Sequence, residues 1–118
     1  MSNDLSRRLL RFAIDVILFL RKIKNTEEYL IIKRQLIKSS TSSGANYEEA
    51  QGGSSKADFT NKTRISLKEM RESNYWLKVI KGTLMQKELI PECQHLINES
   101  QELKNILGAI CSKNQRKS

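Results

Sequence analysis

Residues 39–80, SSTSSGANYEEAQGGSSKADFTNKTRISLKEMRESNYWLKVI, decide how this chain folds. By propensity, Ser39 to Ala45 reads as a loop. Serine and threonine compete for backbone hydrogen bonds, and a glycine inside a helix costs roughly 1 kcal/mol against alanine. By phase it reads as helix. Tyr29, Ile32, Leu36, Ser40, Ser43, Tyr47 and Ala50 keep one three-four stepping straight through the small residues. The phase predicts an unbroken helix over 26–51. Gly52-Gly53 should end it, since glycine takes a left-handed cap conformation without a Cβ clash. Ser54 or Ser55 then caps a third helix over 55–86, with Asp58 in its first turn. Its stripe is Phe59, Thr63, Ser66, Met70, Ser73, Leu77, Ile80 and Leu84, again small in the middle. If the two helices pair antiparallel, Ser66 and Ser73 come to the small run at 39–45, and each weak-looking half explains the other.

Upstream, Leu5, Leu9, Phe12, Val16, Phe19 and Ile23 mark one face of a first helix over 4–24, capped by Asn3 or Asp4. A second stripe, Leu10, Ala13, Ile17 and Leu20, runs beside it. Two stripes are wider than one bundle core requires, so this helix is either deeply buried or faces another subunit. Asn25-Thr26 is a break and the next cap, and Glu28 stands at capping-box spacing from Asn25. Downstream, Pro91 suits the first position of a fourth helix over 91–113, striped by Cys93, Leu96, Ser100, Leu103, Leu107 and Ile110. A polar, basic tail follows Cys111, expected to fray.

One proline and five glycines in 118 residues leave little turn chemistry for a sheet, and the length fits a single domain, 1–118. Lys and Arg number 21 against 13 Asp and Glu, a net charge of +8. That balance suits a polyanion or an acidic partner, or simply a solvated basic surface. The first helix has six cations against two carboxylates, +4, and the third, with Lys87, eight against three, +5. Cys93 and Cys111 on one helix would stand roughly 27 Å apart, too far to bridge. Reduced thiols fit a cytoplasmic protein. The apolar run Phe12–Leu20 contains Asp15 and is far shorter than the ~20 residues of a membrane span, so no membrane association is expected.

Catalytic chemistry is not legible. There is no phosphate loop, and the one histidine, His95, has no Ser/Asp or Cys partner pattern. No cofactor and no metal site are expected. Glu69 and Glu72 share a helix face but lack the Glu-x-x-His of di-metal bundles. Ion pairing with Lys62, Arg64, Lys68 or Arg71, within or between subunits, is the favoured reading. Tyr75-Trp76 beside Lys78 and Lys81 has the makings of a base-stacking platform, though a core or subunit contact is commoner for such a pair.

Three motifs then stand out in order: SSTSSGANYEEA, S-x-A-DF-x-x-K from Ser55 to Lys62, and ISLKEMRESNYWL. With LLRFAIDVILFLRKI and TEEY before them, they resemble the four-helix-bundle proteins of the 23S rRNA intervening sequence protein family, over nearly the whole chain. The resemblance implies an all-α, up-down-up-down antiparallel four-helix bundle assembling as a ring, a homopentamer. It also implies a bacterial protein with no catalytic residues. Such proteins look distantly like the accessory protein of diversity-generating retroelements, a basic five-fold barrel that binds nucleic acid and a reverse transcriptase.

Two functions remain after this reading. The favoured one is a non-enzymatic assembly that binds nucleic acid, RNA before DNA, through basic residues on the first and third helices: Arg7, Arg8, Arg11, Lys56, Lys62, Arg64 and Lys68. The alternative is a structural or interaction module for a protein partner such as a reverse transcriptase. A metal-dependent enzyme is weaker than either, because the ligands are missing.

Overall fold

The computed structural model describes residues 2–53 and 55–117, with side chains from 4 to 113. Four helices carry the described chain: α1 (Ser2–Leu20), α2 (Glu27–Gln51), α3 (Lys56–Thr83) and α4 (Ile90–Lys117). A single 3-10 turn, Lys87–Leu89, leads into α4. No strand occurs among the described residues. The molecule measures 47 × 20 × 20 Å, as helices of this length require at 1.5 Å per residue.

The stretch 39–45 is helical, inside an unbroken α2. Its hydroxyls explain how helix survives there. Ser39 Oγ meets Ser73 Oγ at 2.8 Å, and Ser43 Oγ donates to the carbonyl of Ser66 at 2.8 Å. Tyr29 Oη and Thr83 Oγ1 stand 2.6 Å apart at the far end. Rising numbers on α2 therefore meet falling numbers on α3. With hydroxyl groups instead of branched carbon at the contact, the two backbones approach closely, and each polar group finds a partner. The core is then completed by Leu9, Phe12, Val16 and Phe19 of α1, Leu36 of α2, Met70, Leu77 and Ile80 of α3, and Leu103 and Leu107 of α4, all essentially inaccessible. Asn74 is also buried; its Nδ2 donates to Ser100 Oγ at 2.8 Å, a polar link to α4 with no signature in the stripe pattern.

Several local expectations need correction. Thr26 alone caps α2, its Oγ1 accepting from the Tyr29 amide at 3.2 Å. Asn25 instead accepts from Lys33 Nζ, so the Asn25–Glu28 box does not form. Both Gly52 and Gly53 keep negative φ. α2 ends at Gly52, whose amide reaches the Ala50 and Glu48 carbonyls, and a Cβ on Gly53 would lie 3.3 Å from the Ala50 carbonyl oxygen. Ser55 caps α3 through the Asp58 amide at 3.0 Å, while Ser54 lies outside the described residues. α1 already includes Asn3 and Asp4, so neither precedes it as a cap; the side chain of Asn3 lies outside the described residues.

The connections are longer than expected, since α1 stops at Leu20 and α3 at Thr83 rather than at 24 and 86. Gln86 bridges the two connections. Its amide donates to the Lys22 carbonyl and accepts from the Lys24 amide, both at 2.9 Å, so the two connections brace one another. At the other end, α4 continues to Lys117, past the expected 113.

Candidate nucleic-acid interface

The seven basic residues proposed from sequence fall into two groups. Arg8 is compensated within the chain. Its guanidinium grips Glu99 with two hydrogen bonds of 3.1 and 2.8 Å and reaches Glu102 at 3.0 Å. The Glu99 hydrogen bond holds its proton more tightly than an ordinary arginine, against a smaller opposing effect of burial. Arg11 is held by Asp15 at 2.9 Å, and Arg7 lies 3.9 Å from Asp4 in a highly exposed pair. Such exposed pairs contribute at most ~1 kcal/mol each, but they place a carboxylate beside every candidate on α1.

On α3 the situation is reversed. Lys56, Lys62, Arg64 and Lys68 form no salt bridge among the described residues. Arg71, one helical repeat beyond Arg64, is equally uncompensated. Seven residues along a helix set Arg64 and Arg71 about 10 Å apart on one face. Glu69 and Glu72 do not pair with these cations within the chain; Glu72 instead accepts from Trp76 Nε1 at 3.2 Å.

Two clefts flank the Arg64–Arg71 row. One, of about 580 Å³, lies between α3 and α4 and is lined by Arg64, Leu67 and Arg71 on one side and Lys104, Asn105, Gly108, Cys111 and Ser112 on the other. The second, about 540 Å³ and more open, is lined by Asn61, Arg64, Ile65, Lys68 and Arg71. Among the described residues, no carboxylate lines either cleft. Lys104 and Gly108 were not singled out from the sequence. The available signal was Gly108 itself, a glycine well inside a helix with no turn to make. It costs roughly 1 kcal/mol against alanine, yet a Cβ there would meet nothing within 4 Å.

The remaining chemical groups are quiet. Burial pushes the Cys93 thiol up to about 11. Cys111 is also raised by burial, with Arg64 and Arg71 partly opposing the effect. Both cysteines are free and buried. His95 is exposed on α4, and the described residues hold no group of three His, Cys, Asp or Glu side chains able to hold a metal ion. Among the described residues, no helix is long and apolar enough to cross a membrane. The aromatic pair divides. Trp76 packs against the core, whereas Tyr75 is 59% exposed, its ring edge-on to Trp76 at 5.3 Å. The core reading of Tyr75 is thus corrected for the single chain.

The model of the family described as 23S rRNA-intervening sequence protein matches residues 2–109. A crystal structure of a protein of unknown function from the S23 ribosomal protein family of Bacteroides thetaiotaomicron VPI-5482 superposes with a TM-score of 0.79 at 30% identity, covering 94% of this chain and 97% of that one. No curated protein matches.

Proposed function

The chain belongs to the 23S rRNA-intervening sequence protein family, and from that premise we propose that it is a non-enzymatic, oligomeric four-helix bundle that binds nucleic acid, RNA in preference to DNA. The observation that carries this reading is the row Arg64, Lys68 and Arg71, with Lys104 across the cleft, cationic and without a carboxylate partner among the described residues. Guanidinium groups suit phosphate by charge and by fork geometry. Released counterions then drive binding. The preference for RNA is carried over from the sequence expectation, and competition between RNA and duplex DNA tests it. The absence of catalysis is supported by the state of the possible nucleophiles, since both thiols are buried and held protonated. A cytoplasmic location goes with free thiols.

The bundle in this proposal is up-down-up-down. Pairings of Ser39 with Ser73, Lys81 with Gln94, and Arg8 with Glu99 support it. The assembly is a homopentameric ring. Support comes from α1, where Ala13 and Leu20 of the second stripe are buried but Leu10, Ile14 and Leu18 stand exposed in a row. Leu30, Ile31 and Ile37 of α2 are exposed as well. Apolar surface of that extent marks an interface, and a head-to-tail contact closes without free ends in a ring.

Filter retention of labelled RNA across a salt series tests the binding. Retention that falls steeply with salt is expected. No retention of RNA or duplex DNA at low salt would remove the reading and leave the exposed apolar residues to a protein partner.

A further inference from the structure

We propose that the cleft between α3 and α4 is a seat for one unpaired nucleotide of a single strand, the phosphate held by Arg64, Arg71 and Lys104 and the sugar or base laid over Gly108. The proposal rests on the nucleic-acid reading above and sharpens it from a charged surface to a shaped site. Three features converge. The walls bring three cations from two helices to one concavity of about 580 Å³, with no salt bridge to them and no carboxylate in its lining among the described residues. The floor is partly apolar, made by Leu67 and the buried Cys111. Gly108 keeps that floor open, because its missing side chain would project into empty space instead of into a neighbour.

Gly82 has an equally open Cβ direction, but only Gly108 opens into the cleft that Arg64, Arg71 and Lys104 line. Glycine inside a helix is ordinarily explained by close approach of another backbone. Here nothing approaches, so packing within the chain does not require it. What glycine does achieve is room beside the cations. The apolar floor also selects the strand state. A duplex presents phosphates and sugar edges while its bases stay stacked inside, whereas an unpaired nucleotide can lay an apolar face on Leu67 and Cys111. Asn105 and Ser112 at the rim add donors and acceptors for sugar hydroxyls. Because Arg64 and Arg71 also line the second cleft, beside exposed Ile65, a strand leaving the seat crosses α3 over a row of cations.

The test is a substitution that changes shape without changing charge. Gly108→Leu raises helix propensity, and a Cβ there meets nothing within 4 Å, so the fold should hold, which a thermal melt verifies. Retention of a single-stranded RNA oligomer by this variant should weaken at least tenfold, and duplex RNA should compete poorly for the wild-type protein. Arg71→Gln with Lys104→Gln is the second variant, expected to flatten the log–log salt slope by about 0.7 for each phosphate interaction removed. Lys78→Gln with Lys87→Gln removes the same charge away from the cleft and should change retention much less. Wild-type affinity in Gly108→Leu, or equal weakening in both charge pairs, overturns the seat while general nucleic-acid binding stands. Duplex competing as well as single strand also overturns it. No retention by the wild-type chain at low salt removes both readings together.

Discussion

Ser43 and Ser66 are joined side chain to backbone in both directions: Ser43 Oγ lies 2.8 Å from the Ser66 carbonyl oxygen, and Ser66 Oγ lies 2.7 Å from that of Ser43. Two helices can make this exchange only where their backbones nearly touch. Both residues are fully buried. Replacing Ser43 by leucine should therefore overpack the contact and cost about 1–3 kcal/mol. Ser43→Ala, which removes a hydrogen bond without adding volume, should cost about 1 kcal/mol. Thermal melting compares the two, and a leucine variant as stable as wild type would count against the close approach.

A second buried polar link joins Asn74 of α3 to Ser100 of α4 at 2.8 Å. Asn74→Ala should destabilise by about 1–3 kcal/mol, because Ser100 is left with one partner fewer in the core. Adding Ser100→Ala should then cost less than it does alone. Strict additivity in a double-mutant cycle by denaturant unfolding would show that the two groups do not act together.

The division between compensated and free cations makes a prediction about binding. Arg8 is spent on Glu99 and Glu102, and Arg11 on Asp15. Converting Arg7, Arg8 and Arg11 to glutamine should lower the salt slope of RNA retention by less than converting Arg64, Lys68 and Arg71. Each true phosphate contact on a single strand is worth about 0.7 in that slope. A larger effect from the α1 triple would move the interface to that helix.

Leu10, Ile14 and Leu18 follow one another along the exposed side of α1. If they bury a subunit contact, Ile14→Glu should dissociate the oligomer at micromolar concentration and leave the helical content unchanged. Light scattering beside circular dichroism decides it; a wild-type monomer would remove the ring.

The buried thiol of Cys93 gives a pH signature. Its folded value is about 11 against an ordinary 9.0, so in that window the unfolded chain has lost a proton that the folded chain keeps. Stability contributed by the neutral thiol is whole below pH 9 and falls as pH rises towards 11. Cys111, raised in the same direction, adds to the trend. Cys93→Ala, whatever its stability at neutral pH, should show a shallower decline between pH 9 and 11, measured by denaturant midpoint. An unchanged decline would assign it to other groups.

The helical phases of Leu5 to Ile23, Tyr29 to Ala50, Phe59 to Leu84 and Cys93 to Ile110 were enough to read four helices and to carry one of them through Ser39–Ala45, against propensity. That works because a helix repeats every 3.6 residues, so burial on one face is written locally. The caps were legible to within a residue, at Thr26 and Ser55, for the same local reason. Tertiary structure alone decided which cations are free. Arg8 and Glu99 are 91 residues apart in the chain, and their meeting depends on how far α1 and α4 are rotated and slid against each other. No local period records that offset. The same offset leaves Leu10 in the open while Leu20 of its stripe is buried, and the packing of α3 on α4 brings Lys104 and Gly108 opposite Arg64 and Arg71 to form a cleft. Charge and apolarity are properties of single residues and can be counted in the sequence; compensation and concavity are properties of pairs of surfaces, and arise only when the helices pack.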